Sequence, residues 1–243
     1  MSNRLAAVAS LDGRRPAGPV YRSIIAFDLE ESTMRTNPVK GELRRVMYDL
    51  LGRALEAVAI TGNRLEPLTD RGDGVLVLIR AHDEVPKTVL LDRLIPLLTA
   101  LLAEYNAQAP QPTLRMRLRA VVHAGEVHVD NRGCYGAAID EAIRLLDSPR
   151  VKKALKQAAV PLVLVISDEI HSGIVCHGYV SASTYFPIWA RVGERRHRGW
   201  VHVPAPATFP VVGRPVRGSR QVGASGSSAL VLAAERSHYP AAG

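Results

Sequence analysis

The chain has 243 residues, of which 47% are hydrophobic and 22% charged, and its formal net charge is +8. This composition is typical of a globular protein with a substantial core, and it excludes disordered and fibrous classes. The basic charge suits phosphate-bearing ligands, nucleic acid or an anionic membrane without choosing among them. The two cysteines, Cys134 and Cys176, cannot build a disulfide scaffold, which favours a reducing compartment.

The apolar stretches are short. The longest, 94–103 and 160–166, fall well below the roughly 20 residues that cross a bilayer. The apolar run near the N-terminus is too brief for the core of a signal peptide. We therefore expect neither membrane spanning nor secretion, and a cytoplasmic location.

The first half of the chain begins with residues 1–19, which contain Arg, Gly and Pro without a period and are predicted to form a flexible arm. Hydrophobic periodicity then predicts a strand, a helix and two strands, in this order, over 23–28, 37–58, 64–68 and 75–79. The helix is expected to use Asn37 as N-cap and Pro38 as its first helical residue.

The chain continues with a helix, a long strand, a helix, a strand, a short helix and two closing strands. They are predicted over 87–105, 114–122, 137–146, 161–166, 168–175, 185–192 and 199–203. The order βαββαβ with further α and β pieces predicts an α+β fold. We expect a ferredoxin-like antiparallel sheet covered by helices on one face. This domain is predicted over 20–203, and 204–243 are predicted to be a flexible tail.

Two carboxylates stand out by their position in these elements. Asp28 ends the first apolar strand, and Asp73 lies in a tight Gly-Asp-Gly turn between two strands. If the first strand pairs beside that hairpin, both carboxylates meet at one edge of the sheet. There they would suit Mg²⁺ or Mn²⁺, which in turn hold phosphate oxygens. Taken alone, the pattern fits two ordinary turn residues equally well.

Around this acidic pair the chain contains four segments: FDLEEST at 27–33, GDG at 72–74, LRAVVHAGEV at 118–127 and YGAAIDEAIRL at 135–145. They resemble, in order and spacing, the motifs of class III nucleotidyl cyclases, the catalytic domains of adenylate and guanylate cyclases, in the bacterial stand-alone form. Each segment alone is a weak signal, but the preserved order is specific. The resemblance covers roughly 21–203.

The resemblance implies a reaction and its metal ions. In this family the ribose 3′-hydroxyl of a nucleoside triphosphate attacks the α-phosphate, so that a 3′,5′-cyclic mononucleotide and pyrophosphate form. Two carboxylates hold two ions, Mg²⁺ or Mn²⁺. By position, Asp28 and Asp73 would be the metal ligands, with the carbonyl of Leu29 nearby.

The resemblance also assigns residues to the phosphates. Backbone amides of Glu31, Ser32 and Thr33 would face the triphosphate. Arg144 would stabilise the transferring phosphate, with an exposed helix arginine as the alternative. The family's sites lie between two chains, which implies a homodimer.

The phosphate-binding Lys of the family's last hairpin is replaced here by an Arg-rich segment, 191–198. Arg198 is the candidate for this role, and a solvated basic loop is equally compatible with the pattern. Aromatic residues make up only 5% of the chain, and none interleaves with this segment in the way that base stacking requires. We therefore do not expect nucleic-acid binding.

One position departs from the family pattern close to the chemistry. Asp140 stands where the family has its transition-state Asn, four residues before Arg144 on the same helix face. An Asp140–Arg144 pair would hold the arginine in place or draw it off the phosphate, and the carboxylate places negative charge near an anionic substrate. The alternative function is therefore a catalytically weakened, cyclase-like domain that binds a nucleotide and acts in regulation.

The base-selecting positions also depart. Thr69 and Gly133 align with the Lys and Asp of adenylate cyclases, and the Glu and Cys of guanylate cyclases are absent there, with Cys134 one position away. Cyclases of bacterial antiphage systems that make cyclic UMP or cyclic CMP share the fold and lack the purine code, so a pyrimidine substrate and an antiviral role stay open. Tyr135 would stack on a base or pack into the core, and core packing is expected.

Overall fold

Strand β1 (Val20–Leu29) lies inside the sheet because both of its faces are apolar: Ile25 and Phe27 enter one core, and Ile24 and Ala26 enter the other. The computed structural model describes residues 18–180 and 184–204. In it β1 pairs antiparallel with β3 (Gly74–Arg80) on one side and with β4 (Leu118–Asp130) on the other.

The other strands extend this sheet to both sides, and they are β2 (Thr69–Asp70), β5 (Gly133–Tyr135), β6 (Leu162–Ser167), β7 (Phe186–Val192) and β8 (Arg195–His202). The strand order is β2-β3-β1-β4-β6-β8-β7, and β5 pairs with β4 beside this path. Every neighbouring pair is antiparallel except β4 and β6. The sheet is therefore mainly antiparallel.

Helices pack against both faces of the sheet. One face carries α1 (Asn37–Ala57), α2 (Lys87–Val89), a π-helical turn (Leu90–Leu94), α3 (Ile95–Gln108) and α6 (Asp168–Ile170), which continues into a second π-helical turn (His171–Val175). The other face carries α4 (Ala137–Leu146) and α5 (Pro149–Gln157). Within the described residues, no helix combines the length and the apolar character that a bilayer crossing needs.

The predicted α+β class and the βαββαβ succession are confirmed by β1, α1, the β2–β3 hairpin, α2 with α3, and β4. The prediction that helices cover one face is wrong, because alternate residues of β1 are apolar in both directions and both faces need a cover. Helix α5 was not predicted, since only Val151 and Leu155 in its polar sequence are buried.

Several element ends also differ from the prediction. The strand at 64–68 is wrong: a 3₁₀ turn occupies Gly62–Arg64, and only Leu65 bridges to β3. The N-cap of α1 is Thr36, because Asn37 is already helical. Strand β4 begins later and runs further than 114–122, since a 3₁₀ turn precedes it and the chain continues straight through Gly125. Residues 1–17 and 205–243, which include most of the predicted arm and tail, lie outside the described residues.

Gly74 sets how closely β3 approaches β1. A Cβ atom built there would lie 2.3 Å from the backbone oxygen of Phe27, so any side chain would push the two strands apart. We predict that Gly74→Ala lowers the free energy of unfolding by about 1–3 kcal/mol or more. Gly52→Ala is the matched control: its Cβ meets nothing within 4 Å, and the exchange within α1 should stabilise by about 0.5–1 kcal/mol. Urea unfolding of both variants measures the difference, and equal stabilities would contradict the strand geometry.

Candidate active site

The strand pairing brings the two predicted metal ligands to the same end of the sheet. Asp28 is opposite Gly74 on β3 and opposite Arg119 on β4. The next amide, that of Leu29, donates a hydrogen bond to the carbonyl of Asp73, at 3.0 Å. The end of β1 and the β2–β3 turn are thus joined through the backbone.

A cleft of about 460 Å³ opens at this point. Asp28 and Asp73 line it together with the loop 29–33, which contains the predicted phosphate-binding positions Glu31, Ser32 and Thr33. The predicted metal ligands and the predicted phosphate-binding residues therefore line the same cleft.

Both acids already have partners inside the chain. Asp28 forms an ion pair with Arg119, and the hydroxyl of Ser32 donates a hydrogen bond to the carboxylate of Asp73. Burial lowers the pKa of the Arg119 guanidinium, and the charge of Asp147 opposes this effect. A cation or phosphate entering the cleft would have to rearrange these contacts.

The donor chemistry fits Mg²⁺ or Mn²⁺. Two carboxylates and a neighbouring backbone carbonyl, that of Leu29, are hard oxygen donors. Over 18–180 and 184–204 there is no group of three or more His, Cys, Asp or Glu side chains placed to hold a metal ion. The donors are therefore two side chains, and Mg²⁺ is commonly bound by one or two carboxylates completed by water and substrate phosphates.

The loop after β1 is held in an uncommon conformation. Glu31 has φ +55°, in the left-handed region that a non-glycine residue rarely adopts. Before it, the amide of Glu30 donates to the carbonyl of Arg117 at 2.9 Å, and the Glu30 carboxylate lies 2.9 Å from the Arg117 guanidinium. After it, a 3₁₀ turn begins at Ser32. The loop is thus fixed at both ends around the strained residue.

Helix α4 places Asp140 and Arg144 in a second cleft of about 500 Å³. Arg71 and Ile143 line both clefts, so the two spaces are neighbours, but Arg144 does not line the space that contains Asp28. In the described part of the chain no ion pair joins Asp140 to Arg144. The ion pair between Asp140 and Arg144 that their spacing in the sequence permits is therefore not formed.

Arg198 lies away from both clefts. Its guanidinium stacks over the ring of Trp200, 4.2 Å from the centroid, and its Nε lies 3.9 Å from a carboxylate oxygen of Asp168. The face of β8 that carries Arg198 is opposite the face that packs against α4, where Gly199 faces Leu145. Within one chain Arg198 is thus separated from the carboxylate pair.

The structure places Cys134, rather than Gly133, beside Thr69. The Thr69 hydroxyl and the Cys134 thiol are hydrogen-bonded; burial raises the pKa of this thiol, and the Thr69 bond opposes the rise. Gly133 takes up the turn into β5, with φ +141°. The expected core packing of Tyr135 is wrong: its ring is 53% exposed and stacks on His128, with centroids 4.9 Å apart.

Sequence reasoning missed the four basic residues that line the cleft, which are Arg71, Arg119, Lys152 and Lys156. It also left Cys134, the neighbour of Thr69, without a role. Arg119 stood inside a quoted motif, and its position directly opposite Asp28 follows only from the register of β1 and β4. The two lysines belong to α5, which had no clear periodic signal. Cys134 was one residue out of alignment with the family's position, and its place beside Thr69 is visible only in the structure.

We predict that Thr69→Val moves the titration of the Cys134 thiol to higher pH, because the hydrogen bond that opposes the burial effect is lost. The alkylation rate of Cys134, followed against pH in a Cys176→Ser background, measures this titration. Thr69→Ser is the matched control and should retain the wild-type curve. A Thr69→Val curve that is unchanged or shifted to lower pH would contradict the contact.

No protein-family model matches this chain, and no curated protein matches it. Solved structures share its fold. One is an adenylate/guanylate cyclase/hydrolase from Silicibacter pomeroyi, with 17% identity, a TM-score of 0.54, and coverage of 77% of this chain and 99% of that chain. The guanylyl cyclase Cya2 has 15% identity, a TM-score of 0.52, and coverage of 79% and 97%. The guanylate cyclase domain of RhGC from Catenaria anguillulae, solved with GTP, has 12% identity, a TM-score of 0.51, and coverage of 76% and 96%. The chain therefore has the fold of adenylate and guanylate cyclase catalytic domains.

Proposed function

We propose that this protein is a metal-dependent nucleotidyl cyclase that converts a nucleoside triphosphate into a 3′,5′-cyclic mononucleotide and pyrophosphate. The observation that supports this best is the convergence of Asp28 and Asp73 in one cleft. The same cleft presents four basic side chains, which are Arg71, Arg119, Lys152 and Lys156. Phosphoryl transfer requires this combination, in which carboxylates bind metal ions and neighbouring basic side chains bind phosphates.

The proposed chemistry is an in-line displacement at the α-phosphorus. The 3′-oxygen forms a bond to phosphorus and loses its proton to solvent water, while the bond between the α-phosphorus and the bridging oxygen breaks and pyrophosphate leaves with the electron pair. Mg²⁺ or Mn²⁺, when bound, would withdraw charge from the phosphates and favour the ionised 3′-oxygen.

The chain's own residues would bind and orient the substrate. Asp28 and Asp73, with the Leu29 carbonyl, would hold two metal ions. Arg119 would turn from Asp28 toward a phosphate oxygen, an exchange of one anion for another that keeps its buried charge paired. The amides of 31–33 would face the triphosphate from the strained loop.

The remaining catalytic group would come from a second copy of the chain. Within one chain Arg144 does not line the cleft of the carboxylates, and Arg198 lines neither of the two clefts. In a two-fold dimer each copy would supply Asp28 and Asp73 to one site and Arg144 to the other, which gives two equivalent sites. Arg198 of the second copy is the proposed further phosphate contact.

Base selection is assigned to Thr69 and Cys134, and the exposed Tyr135, which follows Cys134 in the chain, is a further candidate. A hydroxyl and a weakly polar thiol replace a charged base-reading pair, so the base itself is left to experiment. A pyrimidine product, a role in antiphage signalling and a cytoplasmic location remain predictions.

Incubation with ATP, GTP, CTP and UTP, each with Mn²⁺ or Mg²⁺, followed by mass-resolved product analysis, tests the reaction. We expect one cyclic mononucleotide, and we expect Asp28→Asn and Asp73→Asn each to lower its rate by roughly 100-fold or more, since an amide is a poorer ligand for these ions. Asp49→Asn, an exposed carboxylate on α1, is the control and should keep the wild-type rate. Equal rates in all three variants would refute the metal-ligand assignment.

A mixing experiment tests the shared site. Asp28→Asn and Arg144→Ala should each be inactive alone. Mixed in equal amounts under conditions of subunit exchange, they should recover roughly a quarter of the wild-type activity, because half of the dimers contain both variants and each has one intact site. No recovery, with exchange demonstrated by differently tagged chains, would show that Arg144 acts within its own chain.

The second candidate function is a nucleotide-binding regulatory module with little or no turnover. Asp140 favours it, because it places in the cleft of Arg144 a carboxylate that has no ion-pair partner among residues 18–180 and 184–204. For a weakened enzyme we predict that Asp140→Asn raises kcat by about tenfold or more, which corresponds to about 1.4 kcal/mol of relieved repulsion. Steady-state kinetics measures this. If neither wild type nor variant forms product while both bind a triphosphate, the regulatory function is the correct one.

A further inference from the structure

We propose that Lys152 and Lys156 of α5 bind the β- and γ-phosphates of the substrate and then hold the pyrophosphate that leaves. This inference rests on the proposed function for the identity of the substrate. The binding of a polyphosphate to these two lysines can, however, be measured without any assay of cyclase activity.

Helix α5 presents these two side chains to the cleft of Asp28 and Asp73. Val151 and Leu155 are fully buried under the helix. Lys152 and Lys156 are four residues apart and therefore lie on the same side, and both line the cleft. All three lysines of α5 are exposed, but Lys153, which lies between the other two in sequence, does not line the cleft.

The position of α5 is tied directly to the cleft loop. The Arg117 guanidinium donates hydrogen bonds to the carbonyls of Leu155 and Ala158 at the C-terminal end of the helix. The same guanidinium lies 2.9 Å from the carboxylate of Glu30, which begins the loop beside Asp28. One side chain thus joins the helix to the loop, and this holds the backbone of α5 next to the loop of the cleft.

The two lysines are available for an anion. Lys152 lies 3.7 Å from Asp147, a half-exposed contact of the kind that contributes little. Lys156 has no ion-pair partner in the described part of the chain. Lys152 and Lys156 share the cleft with Asp28 and Asp73, and this combination of charges fits a ligand with a metal ion at one end and negative oxygens at the other. Lysine binds phosphate as a point charge on a flexible stem, which suits mobile terminal phosphates.

The site has a defined part in the reaction. When the bond between the α-phosphorus and the bridging oxygen breaks, the bridging oxygen takes the electron pair and the charge on pyrophosphate grows. Cations already in contact with that group would then bind it more strongly than they bind the substrate. The lysine pair should therefore affect both substrate binding and turnover.

Calorimetric titration with inorganic tripolyphosphate and Mg²⁺ tests the site without any nucleoside. The variant Lys152→Gln/Lys156→Gln should bind about 10- to 100-fold more weakly than wild type, as expected for two lost charge-assisted contacts. The control variant Arg150→Gln/Lys153→Gln removes the same charge from the same helix and should stay within about threefold of wild type. Equal weakening in both variants, or no weakening in either, would overturn the proposal.

Product formation separates this inference from the proposed function. If wild type forms no cyclic nucleotide but tripolyphosphate binding depends on Lys152 and Lys156, the cyclase proposal fails and the phosphate site stands. If wild type is a cyclase and Lys152→Gln/Lys156→Gln leaves KM and kcat unchanged, the phosphate site fails and the cyclase stands.

Discussion

The close approach of β1 and β3 at Gly74 is the constraint on which the rest of the site depends. A backbone oxygen occupies the space that any side chain at this position would need. This contact fixes the register that sets Asp28 beside the β2–β3 turn, and the hydrogen bond from Leu29 to Asp73 then locks the turn against the strand. The acidic pair is therefore a product of strand pairing rather than of a local motif.

The cleft contains several charged side chains, and three of its carboxylates have partners within the same chain. Asp28 is paired with Arg119, Asp73 accepts from Ser32, and Glu30 is paired with Arg117. These contacts give the three carboxylates partners within the chain, and a charge shielded from water without a partner would be costly. They also mean that ligand binding is an exchange of partners, so its strength depends on how completely the new contacts replace the old ones.

The sequence predicted the parts of this arrangement that local patterns encode. The apolar run before Asp28, the Gly-Asp-Gly turn and helix α4 were each visible in a short window, and α4 was predicted with its observed ends. The sequence did not predict which residues lie opposite each other in neighbouring strands. The register that places Arg119 opposite Asp28 depends on two strands that are about 90 residues apart in the chain.

Two other errors have a similar origin. Helix α5 was missed because only two buried apolar residues anchor it and its remaining positions are polar. The one-sided helical layer was wrong because β1 is apolar and buried on both faces, so that both faces of the sheet need a cover. In both cases tertiary packing, rather than local propensity, decided the structure.

The most direct test of the central claim is a crystal structure grown with Mn²⁺ and a nucleoside triphosphate whose α–β bridging oxygen is replaced by a methylene group, with anomalous data collected at the manganese edge. We expect manganese in direct contact with carboxylate oxygens of Asp28 and Asp73. The ion pair of Arg119 with Asp28 and the hydrogen bond of Ser32 to Asp73 should then be broken. Manganese bound elsewhere, with both carboxylates still engaged by Arg119 and Ser32, would contradict it.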